Sequence, residues 1–273
     1  MKKLVVHHGA ATDVGLVRQI NEDSHLAAPP VFVVADGMGG HDGGDIASDI
    51  VVQELAKLTD RRFAPESGQA AIADALECAQ QRITAYVTEQ QARGSRDFSS
   101  GTTCAAALLV DGSAGPQWLL ANVGDSRIYR FFEGELSQVS VDHSLVQELV
   151  DAGNLTPEEA AHHPDRNVIT RALGGLAPAV PDFFHATLPP GARLLLCSDG
   201  VSGMIDAPAI AGILAESTDA RDAAERLVAA AVAAGGRDNA TAVVVDVVGL
   251  TDENPYDSAQ QRASLEQKLG VLP

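Results

Sequence analysis

Four aspartates in this sequence stand at the ends of apolar runs. Asp36 follows Val31-Phe32-Val33-Val34-Ala35, Asp125 follows Trp118 to Gly124, Asp199 follows Arg193 to Ser198, and Asp238 precedes Ala240 to Val248. Taken singly, an Asp beside Gly or Asn is a turn residue or a helix N-cap. Several carboxylates brought to one edge of a sheet pose a different problem, because like charges that close cannot all stay ionised unless cations share the site. Oxygen ligands alone suit a hard divalent ion such as Mg²⁺ or Mn²⁺, whereas zinc calls for His and Cys at ligand spacings. The eight histidines and three cysteines supply neither a His-Glu-x-x-His sequence nor a paired Cys motif.

These acids need rigid elements behind them. The apolar runs 31–35, 102–110, 118–123, 193–197 and 240–248 are short and nearly continuous, as strands in a sheet core are. Ile128 to Phe132, Glu133-Gly134-Glu135 and Leu136 to Val139 read as a hairpin, which favours antiparallel pairing. Helical patterns span Asp45 to Leu58 and Gln69 to Arg93 with no strand between them, which breaks the alternation of a doubly wound parallel sheet. Two further helices are predicted, one after Asp206 and one capped by Asp219 and closed by Gly235-Gly236. Thr156-Pro157-Glu158-Glu159 is a capping-box sequence inside a helical insertion from Leu145 to Asn167. The domain is expected to end near residue 250, leaving 251–273 as a polar C-terminal tail.

Bulk properties narrow the chemistry. A formal charge of −18, from 37 acidic against 19 basic side chains, argues against a sequence-independent grip on nucleic acid. No apolar run approaches the roughly 20 residues of a membrane span, and the amino terminus lacks the long apolar core of a signal peptide. The three cysteines, Cys78, Cys104 and Cys197, are an odd number set far apart among apolar neighbours, so buried free thiols in a reducing compartment are expected. A cytoplasmic, monomeric protein with no nucleic-acid or membrane partner is the expectation.

Six motifs then occur in order: Arg18-Gln19-Ile20-Asn21-Glu22-Asp23, Asp36-Gly37-Met38-Gly39-Gly40-His41, Ser100-Gly101-Thr102-Thr103, Gly124-Asp125-Ser126-Arg127, Ser198-Asp199-Gly200 and Asp238-Asn239-Ala240-Thr241. With them the chain, from about Ala10 to about Val248, resembles the bacterial branch of the metal-dependent type 2C protein phosphatases. Asp142-His143-Ser144 and Ile169 to Gly174 are similar to that family's middle motifs. The resemblance implies an α+β fold, an αββα sandwich of two antiparallel sheets packed face to face and flanked by helix pairs. It implies two tightly bound Mn²⁺ or Mg²⁺ ions and a third, weaker one. By motif, Asp36 bridges two metals, the Gly37 carbonyl binds one, Asp199 and Asp238 hold the other, and Asp125 shares the third with Asp199. Glu22 and Asp23 are implied to bind metal or orient its waters.

The implied reaction is hydrolysis of phosphoserine and phosphothreonine by metal-activated water, opposing a Ser/Thr kinase and acting on phosphorylated proteins. Arg18 has the planar fork for phosphate oxygens. The sequence departs from animal members at Met38, where they carry a His thought to protonate the leaving alkoxide. His41 has two readings here, a substitute general acid or a residue that ties down the glycine-rich turn.

Rival chemistries fail on particular residues. Asp42 stands where a dinucleotide-binding turn needs its third glycine, and no Lys occurs between Lys57 and Lys268 to serve a P-loop. Cys197 lacks the closely following Arg of a thiol phosphatase. Two alternatives share the fold: a regulatory phosphopeptide-binding module and a small-phosphoester phosphatase.

Overall fold

The computed structural model describes residues 2–39, 43–113, 115–175, 178–187 and 189–252. In chain order the strands are β1 (Lys2–Asp13), β2 (Asp23–Ala28), β3 (Val31–Gly39), β4 (Ser100–Thr102), β5 (Cys104–Gly112), β6 (Gly115–Val123), β7 (Arg127–Phe132), β8 (Glu135–Gln138), β9 (Asp182–Ala186), β10 (Arg193–Cys197) and β11 (Ala240–Asp252). The helices are α1 (Gly44–Ala56), α2 (Pro65–Ala92), α3 (Leu145–Asp151), α4 (Pro157–Ala161), α5 (Asp199–Ser202), α6 (Ala207–Glu216) and α7 (Ala220–Ala233). One sheet runs β1-β11-β10-β7-β8 and the other β2-β3-β5-β6-β9, with β4 paired to β3. Every ladder is antiparallel. The expected sandwich is the observed one.

Antiparallel sheets commonly show one face to water and therefore alternate polar with apolar residues. The central strands here do not, because both faces of the sheet are covered where they run. Phe32 and Val34 of β3, Trp118 and Leu120 of β6, Leu194 and Leu196 of β10, and Val243 and Val245 of β11 fill the space between the sheets. On the outer side of the second sheet, Val31, Val33 and Ala35 pack with Leu55 of α1 and Ile72, Leu76 and Ile83 of α2. Across the molecule, Leu195, Cys197 and Val244 pack with Ala224, Leu227 and Val228 of α7. Period-2 alternation therefore persists, but it sorts one apolar layer from another.

Helix boundaries follow their caps. Asp219 accepts hydrogen bonds from the Arg221 and Asp222 amides, and both halves of the Thr156–Glu159 capping box are made. Of the expected buried thiols, Cys104 and Cys197 are buried, while Cys78 is exposed. Helix α2 explains the exception: Ile72, Ala75, Leu76, Ala79 and Ile83 line its buried side, and position 78 falls on the opposite face. Strand β11 runs to Asp252, two residues past the expected domain end, and 253–273 lie outside the described residues.

Candidate metal centre and its supports

Strand direction carries the acids to one edge of the sandwich. Asp36 lies near the C-terminal end of β3, Asp125 just past β6, Asp199 just past β10, Asp238 just before β11, and Asp23 opens β2. Because the ladders are antiparallel, the start of β2 meets the end of β3, and Asp23 and Asp36 are direct cross-strand partners. Burial pushes the Asp23 carboxyl up to about 7, and Asp199 and Asp238 add to the effect. Asp36, partly buried at the end of the sheet, is raised well above the carboxylate range by desolvation and then by Asp23, Asp199, Asp125 and Asp238. Asp125 is pushed up to about 7 by burial and by Asp199. Asp199, also raised first by burial and then by Asp238, shares a hydrogen bond with Asp36.

Such a cluster is unfavourable without positive charge. Arg18 supplies some of it: its Nη2 donates to Asp238 Oδ2 at 2.8 Å. The other Asp238 oxygen accepts from the Asn239 amide, and Asp23 Oδ2 accepts from Ser198 Oγ at 2.8 Å. With these oxygens engaged, no three acidic, His or Cys groups among the described residues stand close enough about one point to ligate an ion as they are set. Two observations nevertheless fit a hard cation. Asp23 Oδ1 and Asp125 Oδ1 are buried with no hydrogen-bond partner, and every acidic group in the cluster offers oxygen.

The residues behind the acids are held tightly. Asn239 is buried, and it accepts from the Glu22 amide at 2.8 Å while donating to Val14 O and Ile20 O, both at 3.0 Å. One side chain thus pins the whole loop that carries Arg18. Glu22 O accepts from the Gly37 amide and from Ser48 Oγ, and Glu22 Oε1 accepts from the Gly44 amide. Gly37 has no room for a side chain: a Cβ there would lie 2.1 Å from Gly44 O and 2.5 Å from Glu22 O. Asp36 is bracketed by Thr102 and Thr103, whose hydroxyls respectively donate to its carbonyl and accept from its amide.

Asp125 has its own clamp. Gly124, at φ 99°, donates its amide to His143 Nδ1 at 3.0 Å and accepts from the His143 amide at 2.9 Å. With Nδ1 accepting, Nε2 carries the proton and donates to Asp182 Oδ2 at 3.1 Å. Arg171 bonds the other Asp182 oxygen at 2.8 Å. On the far side of Asp125, Arg127 forks onto buried Asp142.

Arg18, Glu22, Asp23, Asp36, Asp125, Asp199 and Asp238 are therefore neighbours in one region, and Gly37 lies at the end of β3 beside it. His41 lies outside the described residues. Sequence reasoning quoted Asn239, Ser198, Thr103 and His143 inside motifs without assigning them work. Their signal was local: a small polar residue beside each acid, where a buried backbone needs a partner. Asn239→Ala removes three partly buried hydrogen bonds at about 1 kcal/mol each, so the unfolding free energy is expected to fall by about 3 kcal/mol in urea titration. A fall below about 0.5 kcal/mol, the scale of an ordinary surface change, would show that the loop is held otherwise.

The sandwich of two antiparallel sheets thus gathers acids at one edge, with a guanidinium beside them. The family model for protein phosphatase 2C matches residues 17–235, and the chain belongs to that family. It is 39% identical over 245 residues to the serine/threonine protein phosphatase PstP of Mycobacterium tuberculosis, covering 90% of this chain and 46% of that protein. The chain thus spans about half the length of that relative. It is 37% identical over 243 residues to protein phosphatase PhpP of Streptococcus pneumoniae, covering 86% of this chain and 95% of that one. Among solved structures, M. tuberculosis PstP/Ppp matches with a TM-score of 0.81 at 38% identity, over 90% of this chain and 100% of that one. The PstP catalytic domain in complex with two manganese ions matches at 0.77 over the same shares, also at 38% identity.

Proposed function

We propose that this chain hydrolyses phosphoserine and phosphothreonine in proteins, with Mn²⁺ or Mg²⁺ held by Asp36, the Gly37 carbonyl, Asp199 and Asp238. A weaker third ion falls to Asp125 with Asp199, and Glu22 and Asp23 orient water. The single observation that carries this reading is the cluster of desolvated, mutually repelling carboxylates with two buried, orphaned oxygens. Bound there, the ions supply Lewis-acid activation of water and neutralise charge on the phosphoryl oxygens.

The chain's own residues do the rest. Arg18, half exposed on the Asp238 carboxylate, can turn its fork to two phosphoryl oxygens. Asp23 Oδ1 is the buried acceptor available to fix a water for in-line attack, while Ser198 holds the other oxygen of that carboxyl. Asn239 keeps both Arg18 and Glu22 in register with the cluster. Met38 carries no transferable proton, so proton delivery to the leaving alkoxide falls to His41 or to water. The buried free thiols Cys104 and Cys197 support action in a reducing cytoplasm, and a monomer opposing a Ser/Thr kinase completes the proposal. No helix among the described residues is long and apolar enough to cross a membrane.

The test is hydrolysis of phosphoserine, phosphothreonine and phosphotyrosine peptides with Mn²⁺, with Mg²⁺ and with chelator. Turnover that survives chelation would overturn the metal reading, and binding without turnover would favour a regulatory module. Within this reading Arg18→Ala is expected to raise KM for a phosphopeptide on the order of tenfold, with kcat changed less, since a group that holds phosphate in ground and transition states alike contributes uniform binding. An unchanged KM would leave Arg18 only its ion pair with Asp238.

A further inference from the structure

Eight large apolar side chains among the described residues are exposed, and three of them lie within five consecutive positions around Arg18: Leu16 (69%), Val17 (66%) and Ile20 (42%). Single exposed apolar residues are ordinary, but a run of them beside a polar site marks a contact surface. A loose loop could fold such side chains onto the core. This loop is tacked down at several points instead. The Gly15 amide donates to Asp13 Oδ1 and the Leu16 amide to Gly236 O, both at 2.7 Å. Asn239 holds Val14 O and Ile20 O. Gly15, at φ 78°, sits so close to Asp238 that a Cβ would lie 2.4 Å from its carbonyl oxygen. Leu16 rests over Gly236, where a Cβ would come within 3.0 Å of its Cγ. The backbone is fixed, and its apolar side chains remain in water.

We propose that Leu16, Val17 and Ile20 form an apolar lip that receives a large aliphatic or aromatic side chain of the substrate, within about three residues of the phosphorylated one. The inference rests on the reading of Arg18 as the phosphate ligand and adds a substrate class to it. Continuity selects the occupant: a phosphate held by Arg18 lays its own flanking residues across the side chains that adjoin Arg18. Charge points the same way. The chain carries −18 overall, and Glu22 and Asp238 adjoin the lip, so acidic flanks are repelled and apolar ones are left to be selected.

An apolar pocket discriminates by factors of about 10 to 200 per group. The experiment compares two phosphothreonine peptides, identical except for Leu or Ser at the two positions on each side of the phosphothreonine. Both are assayed with Mn²⁺ beside p-nitrophenyl phosphate, using wild type, Leu16→Ser and Val17→Ser. The wild type is expected to prefer the Leu peptide by about tenfold in kcat/KM. Each variant is expected to lose most of that preference through KM while turning over the aryl phosphate within about twofold of wild type. Equal use of both peptides by the wild type, or a preference that survives in both variants, would overturn the lip. If one variant loses aryl phosphate turnover through misfolding, the other decides. Failure of the wild type to hydrolyse the aryl phosphate would instead sink the reading of the site itself.

Discussion

Asp36→Asn is expected to reduce Mn²⁺-dependent hydrolysis of a phosphothreonine peptide on the order of 10³-fold or more, while raising the melting temperature of the chelated protein. Both effects come from one charge. Asp36 is strongly desolvated and feels Asp23, Asp199, Asp125 and Asp238 together, so it is the group whose anion is dearest in the metal-free protein and most useful beside a cation. The amide keeps the shape and gives up the charge. Asp199→Asn and Asp238→Asn are expected to lose turnover similarly. Wild-type-like turnover in any of the three would remove that residue from the metal set, and a lower melting temperature for chelated Asp36→Asn would contradict the repulsion argument.

In chelator the wild-type protein is expected to be more stable at pH 6 than at pH 8, by on the order of 1 to 3 kcal/mol. Asp23 and Asp125 are pushed up to about 7, from an ordinary value of 3.8. A carboxyl raised in the folded state binds its proton more tightly there than in the unfolded chain. Its stabilising contribution is complete below about pH 3.8 and is lost as the pH rises through 7. Between pH 6 and 8 the unfolded chain has already released these protons, so the whole change falls on the native state. Saturating Mn²⁺ should flatten the profile, since a cation that binds only the native state takes over the protons' role. Urea titrations at the two pH values, with and without Mn²⁺, measure the difference. A chelated protein more stable at pH 8 would show that these carboxylates are ionised at little cost.

The acids were legible because apolar runs ended at Asp36, Asp125 and Asp199 or began just after Asp238, and the sandwich came with the resemblance that their motifs carried. Runs such as Leu194 to Cys197 are apolar at every position, and that double burial is what made them stand out. Strands of a different kind were missed. In β1, His7, His8 and Gly9 interrupt the apolar pattern, and the strand becomes recognisable only through its long ladder with β11. Every residue of β2 is half buried, so neither period was strong enough to mark it. Its first residue is Asp23, and the pairing of Asp23 with Asp36 was therefore hidden too. The bond from Arg18 to Asp238 spans 220 positions, and no local pattern could announce it. Cys78 was misread because its apolar neighbours were taken as an environment, when on a helix they belong to the other face.

The bond between Arg18 and Asp238 would also couple events at the edge of the sandwich. On the proposed assignment, Arg18 and a divalent ion would be rival counter-ions for the same Asp238 carboxylate, and phosphate a rival partner for the same guanidinium. Whatever draws Arg18 away from Asp238 vacates the carboxylate, and a cation that neutralises the carboxylate releases the guanidinium. The two ligands therefore help each other to bind, and linkage makes the help equal in both directions. With both side chains partly in water, the exchange is worth at most about 1 kcal/mol, a factor of about five in either affinity. The cluster is in this sense a weak two-key lock, with Arg18 as the wire between its keyholes.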